Sequence, residues 1–370
     1  MTSSDVVSER LDNHKLSSSP FQKPVEVVRW FGAVQAQDFN AAKWALALRI
    51  PGATNALIEK AFNEGKILRT HLMRPTWHFV APDDIRWLLQ LTAPRVNIKS
   101  GPNYRKLELD DATFKRSNKV LTNALKGGKH LTRSALRTVL NNSGIAADDT
   151  VRLAHIFLRA ELDAVVCSGR LIGNQFTYAL FDERVPATKA LDREEALARL
   201  TRRYFTSHGP ATLQDFVWWS GLTAVDASRG IGLVDRHLKE ALVEGKAYWN
   251  TRSMQNTPRS VPSAYLLPAF DEYTVAYKDR GAILDLNHGM PSMTSMGLLD
   301  PMIIVDGKTV GTWKRTNDKK SVSITLNVLR ALTKSERQVI TKALERYENF
   351  LGVPVQILGF AQEPAEQAPA

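Results

Sequence analysis

The sequence predicts an α+β protein made of three tandem helix-turn-helix units, each closed by a β wing, followed by a small C-terminal α+β module. Three observations predict it. One punctuation of apolar run, Gly-Lys or Gly-Arg, and alternating strand-like residues recurs in AFNEGKILRTHLMRPTWHFV (61–80), VVCSGRLIGNQFTYALF (165–181) and ALVEGKAYWNTRS (241–253). Short helical runs precede each of these stretches. The pattern changes after a Pro/Ser-containing stretch, RSMQNTPRSVPS (252–263), which reads as a linker.

In the first unit, PVEVVRWFGAVQ (24–35) and DFNAAKWALALR (38–49) precede the helix NALIEKAFNEG (55–65). In the later units LTRSALRTVL (131–140) and ATLQDFVWWSGL (211–222) take the corresponding place, with Thr132 and Thr212 as N-caps. In each unit the glycine is expected just past the end of a helix, where a left-handed residue stops it, with the wing starting within two residues. Three short helices and a two-stranded hairpin make the winged-helix plan. The expected units are 20–105, 106–188 and 189–255, with the closing module at 264–360. In that module Asp306-Gly307 is a two-residue hairpin signal, SVSITLNVL (321–329) adds a strand, and TKSERQVITKALERYENFLG (333–352) is a capped amphipathic helix. A polar loop through 298 and a disordered tail, AQEPAEQAPA, complete the expectation.

The 370 residues carry 49 Lys plus Arg against 38 Asp plus Glu, a net charge of +11. Such a surplus favours a polyanionic partner, because each phosphate neutralised releases counterions. The single cysteine, Cys167, excludes a disulfide framework within the chain and, in its apolar run, reads as a buried thiol. The polar N-terminus lacks an apolar signal region, and no stretch is long and apolar enough to span a bilayer, so a cytoplasmic, membrane-free setting is expected. GxGxxG, P-loop, HExxH and GxSxG motifs are missing, and the eight histidines show no pair at helical metal spacing. Neither a metal nor a cofactor is expected.

Two stretches could carry chemistry. Gln35 and Gln37, in VQAQD (34–38), share one side of an extended segment or flank a helix end. Buried, they need hydrogen bonds, so they form either a satisfied structural pair or a site that orients a polar group. Asp38 reads as the N-cap of the helix starting at Phe39. The first wing carries Arg69, His71, Arg74, Trp77 and His78 within ten residues, which suits a hairpin facing phosphates and bases or, equally, a solvated wing with Trp77 packed inward. Lys278 and Arg280 in KDR, and Lys314 and Arg315 in TWKR, are expected at basic hairpin tips.

VQAQD, LRTHLMRPTWHFVAPDD (68–84), LLPAFDEYTVAYKDR (266–280) and VDGKTVGTWKR (305–315) together resemble, in that order, the winged-helix DNA glycosylases of the AlkZ/YcaQ kind, over residues 25 to 350. The resemblance implies three winged helices forming a basic channel around duplex DNA, with a Gln-x-Gln motif, here Gln35-Ala36-Gln37, facing the lesion. It implies an enzyme acting on cationic N-alkylpurines, bulky adducts and, in some members, interstrand crosslinks included; with no candidate Schiff-base lysine evident, a monofunctional enzyme without lyase activity is expected. A purine already positive at N7 or N3 leaves without a strong general acid. Two carboxamides then suffice to orient water against an oxocarbenium-like sugar. The alternative is a non-enzymatic regulator built from the same units. A regulator usually pairs winged helices in a dimer, whereas a chain with three of its own is expected to act as a monomer.

Overall fold

The computed structural model describes residues 2–251, 262–284, 300–317 and 321–362, and the architecture is mixed α+β. Residues 252–261 of the expected linker, most of the polar loop to 298 and the tail from 363 lie outside the described residues.

The polar N-terminus folds as helix α1 (Ser3–Asn13), which sequence reading did not anticipate. Its signal was present: Thr2 and Asp5 form a capping box, and Val6, Val7 and Leu11 supply a buried stripe. Helices α2 (Pro24–Phe31), α3 (Phe39–Ala47) and α4 (Asn55–Asn63) follow. The two-residue strand β1 (Val34–Gln35) lies between α2 and α3 and pairs with the hairpin β2 (Leu68–Leu72)/β3 (Thr76–Val80) in the order β1-β3-β2. The long helix α5 (Ile85–Lys106) leads to α6 (Asp111–Leu125), strand β4 (Leu131–Thr132), α7 (Arg133–Asn142) and α8 (Thr150–Leu162). β5 (Val166–Ser168) and β6 (Thr177–Leu180) complete a second small sheet, in the order β4-β6-β5. Short α9 (Phe181–Arg184) precedes α10 (Arg193–Ser207), α11 (Leu213–Ser220), α12 (Ala224–Val234) and the hairpin β7 (Leu238–Val243)/β8 (Lys246–Thr251).

The C-terminal part is a five-stranded sheet ordered β13-β12-β11-β10-β9, with strands β9 (Ala264–Leu267), β10 (Met302–Val305), β11 (Lys308–Asn317), β12 (Val322–Val328) and β13 (Val355–Gln362). The four-residue helix α13 (Glu272–Val275) follows β9, and α14 (Lys334–Leu351) packs on the sheet. Caps expected at Thr132, Thr212 and Thr333 are present, and Asp38 accepts from Asn40 and Ala41 N–H at 2.9 and 3.0 Å. Val305 pairs with Lys308 across Asp306-Gly307, both with positive φ, as a tight hairpin turn demands.

Two expectations need correction. Only Gly65 follows a helix; Gly169 follows β5, and Gly245 sits in the turn between β7 and β8. LKEALV has helix-forming composition, but ladder pairing with β8 overrides it. The basic triplets are not hairpin tips: Lys278 and Arg280 lie in the loop after α13, and Lys314 and Arg315 lie along β11.

Three large apolar cores hold the chain. One joins residues of the first 81 positions, such as Phe31, Trp44 and Phe62, to the C-terminal sheet through Leu266, Trp313, Tyr347 and Phe350. The second joins the first hairpin and α5 to α10–α12, and the third lies within residues 104–180. Cys167 is fully buried. Among the described residues no helix is long and apolar enough to cross a membrane, and no group of His, Cys, Asp and Glu could hold a metal ion.

At the seam between the first hairpin and α11, Gly221 caps the helix with φ +69, and an added Cβ would lie 2.3 Å from the Met73 carbonyl oxygen. Gly221→Ala is therefore expected to cost about 2 kcal/mol or more, from left-handed strain plus overlap with backbone. A urea midpoint unchanged from the parent would refute this.

Candidate active site

β1 places the two glutamines unequally. Gln35 is 5% exposed and Cα-paired with His78 of β3, whereas Gln37 is exposed beyond the strand end. Gln35 is held twice: its N–H donates to Glu272 Oε1 at 2.7 Å, and its side-chain Oε1 accepts from Arg74 Nη2 at 2.8 Å. With its oxygen engaged, the Gln35 carboxamide presents its N–H donors. Gln37 Oε1 accepts from the Trp77 N–H at 3.3 Å, and Ala36 N–H donates to the Trp77 carbonyl at 2.7 Å. The motif is thereby stitched to the first hairpin.

Beneath the motif lies a carboxylate that sequence reading missed. Glu272, fully buried at the start of α13, accepts from Trp219 Nε1–H at 2.9 Å, and His208 Nε2 lies 3.3 Å away. Burial opposes the charge on Glu272, but bonds from His208 and Gln35 N–H outweigh it and hold the carboxyl below its usual range. Its neighbour Asp271 binds Arg49 through both oxygens at 2.7 and 2.8 Å, and both side chains are buried. Nothing in FDEYTVAYKDR announces this, because the partners lie between 53 and 237 positions away.

The first hairpin is engaged rather than free. Arg69 donates from Nε to the Ala36 carbonyl at 2.9 Å and from Nη2 to the Gln37 carbonyl at 3.3 Å, and covers Trp77 at 4.3 Å. His71 is buried on Glu161, which also accepts from Trp77 Nε1–H at 3.4 Å. His78 has no exposed surface. Burial, and then the Arg74 guanidinium, push its pKa down to about 3. Arg74 and Arg280 both pack on Trp218, at 5.9 and 5.7 Å. The structure thus gathers Gln35, Gln37, Arg69, His71, Arg74, Trp77, His78 and Arg280 around one centre. Lys278 is exposed, with its backbone N–H bound to Asp215. Lys314 and Arg315 line a separate cavity of about 470 Å³ that they share with Asp38 and Asn40.

The carboxylate exposed next to Gln37, that of Asp38, is engaged as the N-cap of α3. The exposed amide, Gln37, and the pinned amide, Gln35, can donate and accept hydrogen bonds but do not titrate near neutrality. The buried Glu272 carboxyl lies behind Gln35, and that of Glu161 behind His71 and Trp77.

Comparisons with known proteins show the family. The family described as DNA glycosylase AlkZ-like matches residues 28–350. A curated relative from Streptomyces sahachiroi, the interstrand DNA cross-link repair glycosylase, is 25% identical over 310 residues, covering 78% of this chain and 81% of its own length. The solved structure of the Streptomyces sahachiroi DNA glycosylase AlkZ superposes with a TM-score of 0.80 at 20% identity, covering 97% of this chain and all of that one, and shares its fold. With the family match spanning most of its length, this chain belongs to the AlkZ-like DNA glycosylase family.

Proposed function

We propose that this protein is a monofunctional DNA glycosylase that excises cationic N-alkylated purines, bulky adducts and crosslinked purines included, from duplex DNA. The observation that carries the reading is the pair of carboxamides, one exposed at Gln37 and one fixed at Gln35 by Arg74 and Glu272. An N7- or N3-alkylated purine is already positive, so its glycosidic bond breaks to release a neutral base without a strong general acid. Gln35 and Gln37 orient the water that adds to the oxocarbenium-like sugar, and the Glu272 carboxylate behind Gln35 favours its positive charge.

Residues 20–105, 106–188 and 189–255 act as three winged-helix units around the duplex, with 264–360 as the closing module. The net charge of +11 draws them to the phosphates. Arg69, Arg74, Trp77 and Arg280 face the DNA at the lesion, with His71 and His78 behind them. Lys278, Lys314 and Arg315 meet the backbone further out. The enzyme works as a monomer in the cytoplasm, at the nucleoid in a bacterium, without a cofactor.

The test is incubation with duplexes containing N7-methylguanine or a defined purine–purine crosslink, followed by alkaline cleavage at any abasic site. Strand scission is expected from the parent, with a fall of about 100-fold or more in Gln35→Ala/Gln37→Ala while duplex binding survives. A folded, DNA-binding parent that cuts neither substrate overturns the activity. Undiminished scission by the double variant overturns the site.

A further inference from the structure

His78, fully buried beside Gln35, has no role yet in the chemistry of this centre. Its Nδ1 lies 2.9 Å from the Thr76 carbonyl oxygen. A carbonyl oxygen can only accept, so Nδ1 carries the proton and donates to it. In a neutral ring Nε2 is then a bare lone pair, an acceptor. That atom is fully buried and has no partner among the described residues. An acceptor left so is costly unless something donates to it.

Two further facts place a donor. The Nε–H of Arg74 is likewise buried and unpartnered. Both residues converge on Gln35: His78 is its Cα partner across the β1–β3 ladder, and Arg74 Nη2 donates to its side-chain oxygen at 2.8 Å. A buried donor and a buried acceptor, unmatched beside the same carboxamide, are what a single enclosed water satisfies, accepting from one and donating to the other.

We propose that His78 Nε2 and Arg74 Nε hold a water against the Gln35 carboxamide, making His78 a positioning residue that fixes how Gln35 faces the lesion. The inference rests on the glycosylase reading and deepens it. The charged and titratable groups around His78 are Arg74, Glu272 and His71, and together with burial they keep its ring neutral at physiological pH. His78 therefore acts as a fixed acceptor and not as a general base.

The test uses the full-length protein with His78→Phe, which keeps an aromatic ring but removes the acceptor, and His78→Gln, which restores an acceptor oxygen. With thermal melting and duplex affinity as controls for folding, His78→Phe is expected to lower kcat for N7-methylguanine excision about 100-fold with KM little changed. His78→Gln is expected to recover most of it. Excision by the parent should show no step centred near the ordinary imidazole pKa of about 6.5. Parent-like kcat in a folded His78→Phe protein overturns the proposal, as does His78→Gln performing no better than His78→Phe. A readout independent of catalysis is the ¹⁵N spectrum of the histidine rings. His78 should be the Nδ1–H tautomer, with its Nε2 resonance displaced by a hydrogen bond; an Nε2–H tautomer overturns the proposal. A parent inactive on every alkylated duplex but with the expected ring spectrum would instead fault the glycosylase reading.

Discussion

Replacing Asp271 by alanine is expected to remove about 3–5 kcal/mol of folding stability, the cost of leaving one member of a buried ion pair without its partner. Arg49 is 1% exposed, and besides both Asp271 oxygens it donates from Nε to the His14 carbonyl at 3.0 Å and from Nη1 to the Ala45 carbonyl at 2.8 Å. Without the carboxylate the guanidinium stays in the apolar core with its charge uncompensated. Asp271 also accepts from the Tyr273 N–H at 2.9 Å, so α13 loses its cap at the same time, and Glu272 loses the frame that aims it at Gln35. Urea denaturation is expected to show a much lower midpoint. In an Arg49→Met/Asp271→Leu protein much of the loss should return, because no orphaned charge remains. A single variant within about 1 kcal/mol of the parent would show that the pair is solvated in solution.

Acidification is the second large effect. His14, His78 and His208 are all fully buried, and burial lowers the pKa of each, that of His78 to about 3. In the unfolded chain all three titrate near 6.5, so below that pH the unfolded state binds protons that the native state refuses. Stability is therefore complete above about pH 6.5 and falls as pH drops towards the folded-state values. The slope is about 1.4 kcal/mol per pH unit for each histidine that stays neutral, approaching about 3 kcal/mol per unit for His14 and His78 together, with His208 adding to it over the narrower range set by its smaller shift. Glu272, with its depressed pKa, adds a loss in the same direction further into acid. Urea midpoints measured from neutral pH down to about 5 should fall steeply. The His78→Gln variant should fall less steeply, by roughly one histidine's share. A flat profile over that range would mean the rings are protonated or solvated in the native state.

Local chemistry was the readable part of this fold. Asp306-Gly307, the threonine caps and the helix at 333–352 announce themselves because the residues that determine each lie within a few positions of one another. Tertiary pairing was not readable. LKEALV becomes a strand only because β8 lies beside it. The Gln-x-Gln motif could be picked out, but not its asymmetry, since alternation in a strand tells sides apart without saying which side a second layer covers. For the same reason His78 could pass as a surface base contact, although a full layer of structure lies over it. Glu272 was invisible as a partner of Gln35 because 237 positions separate them.

The core that runs from Phe31 and Trp44 into Trp313 and Tyr347 also limits how such a protein can change over time. Beads on a string can be shuffled, duplicated or lost one at a time. Here the segment bearing the two glutamines shares its interior with the distal part: Trp44 packs on Tyr347 and Phe350, and its indole N–H donates to the Leu266 carbonyl. Cutting away the last hundred residues would strip the opening segment of half its interior and of the glutamate beneath its motif. The distal sheet is thus inherited together with the chemistry it supports, even where it never touches a nucleotide.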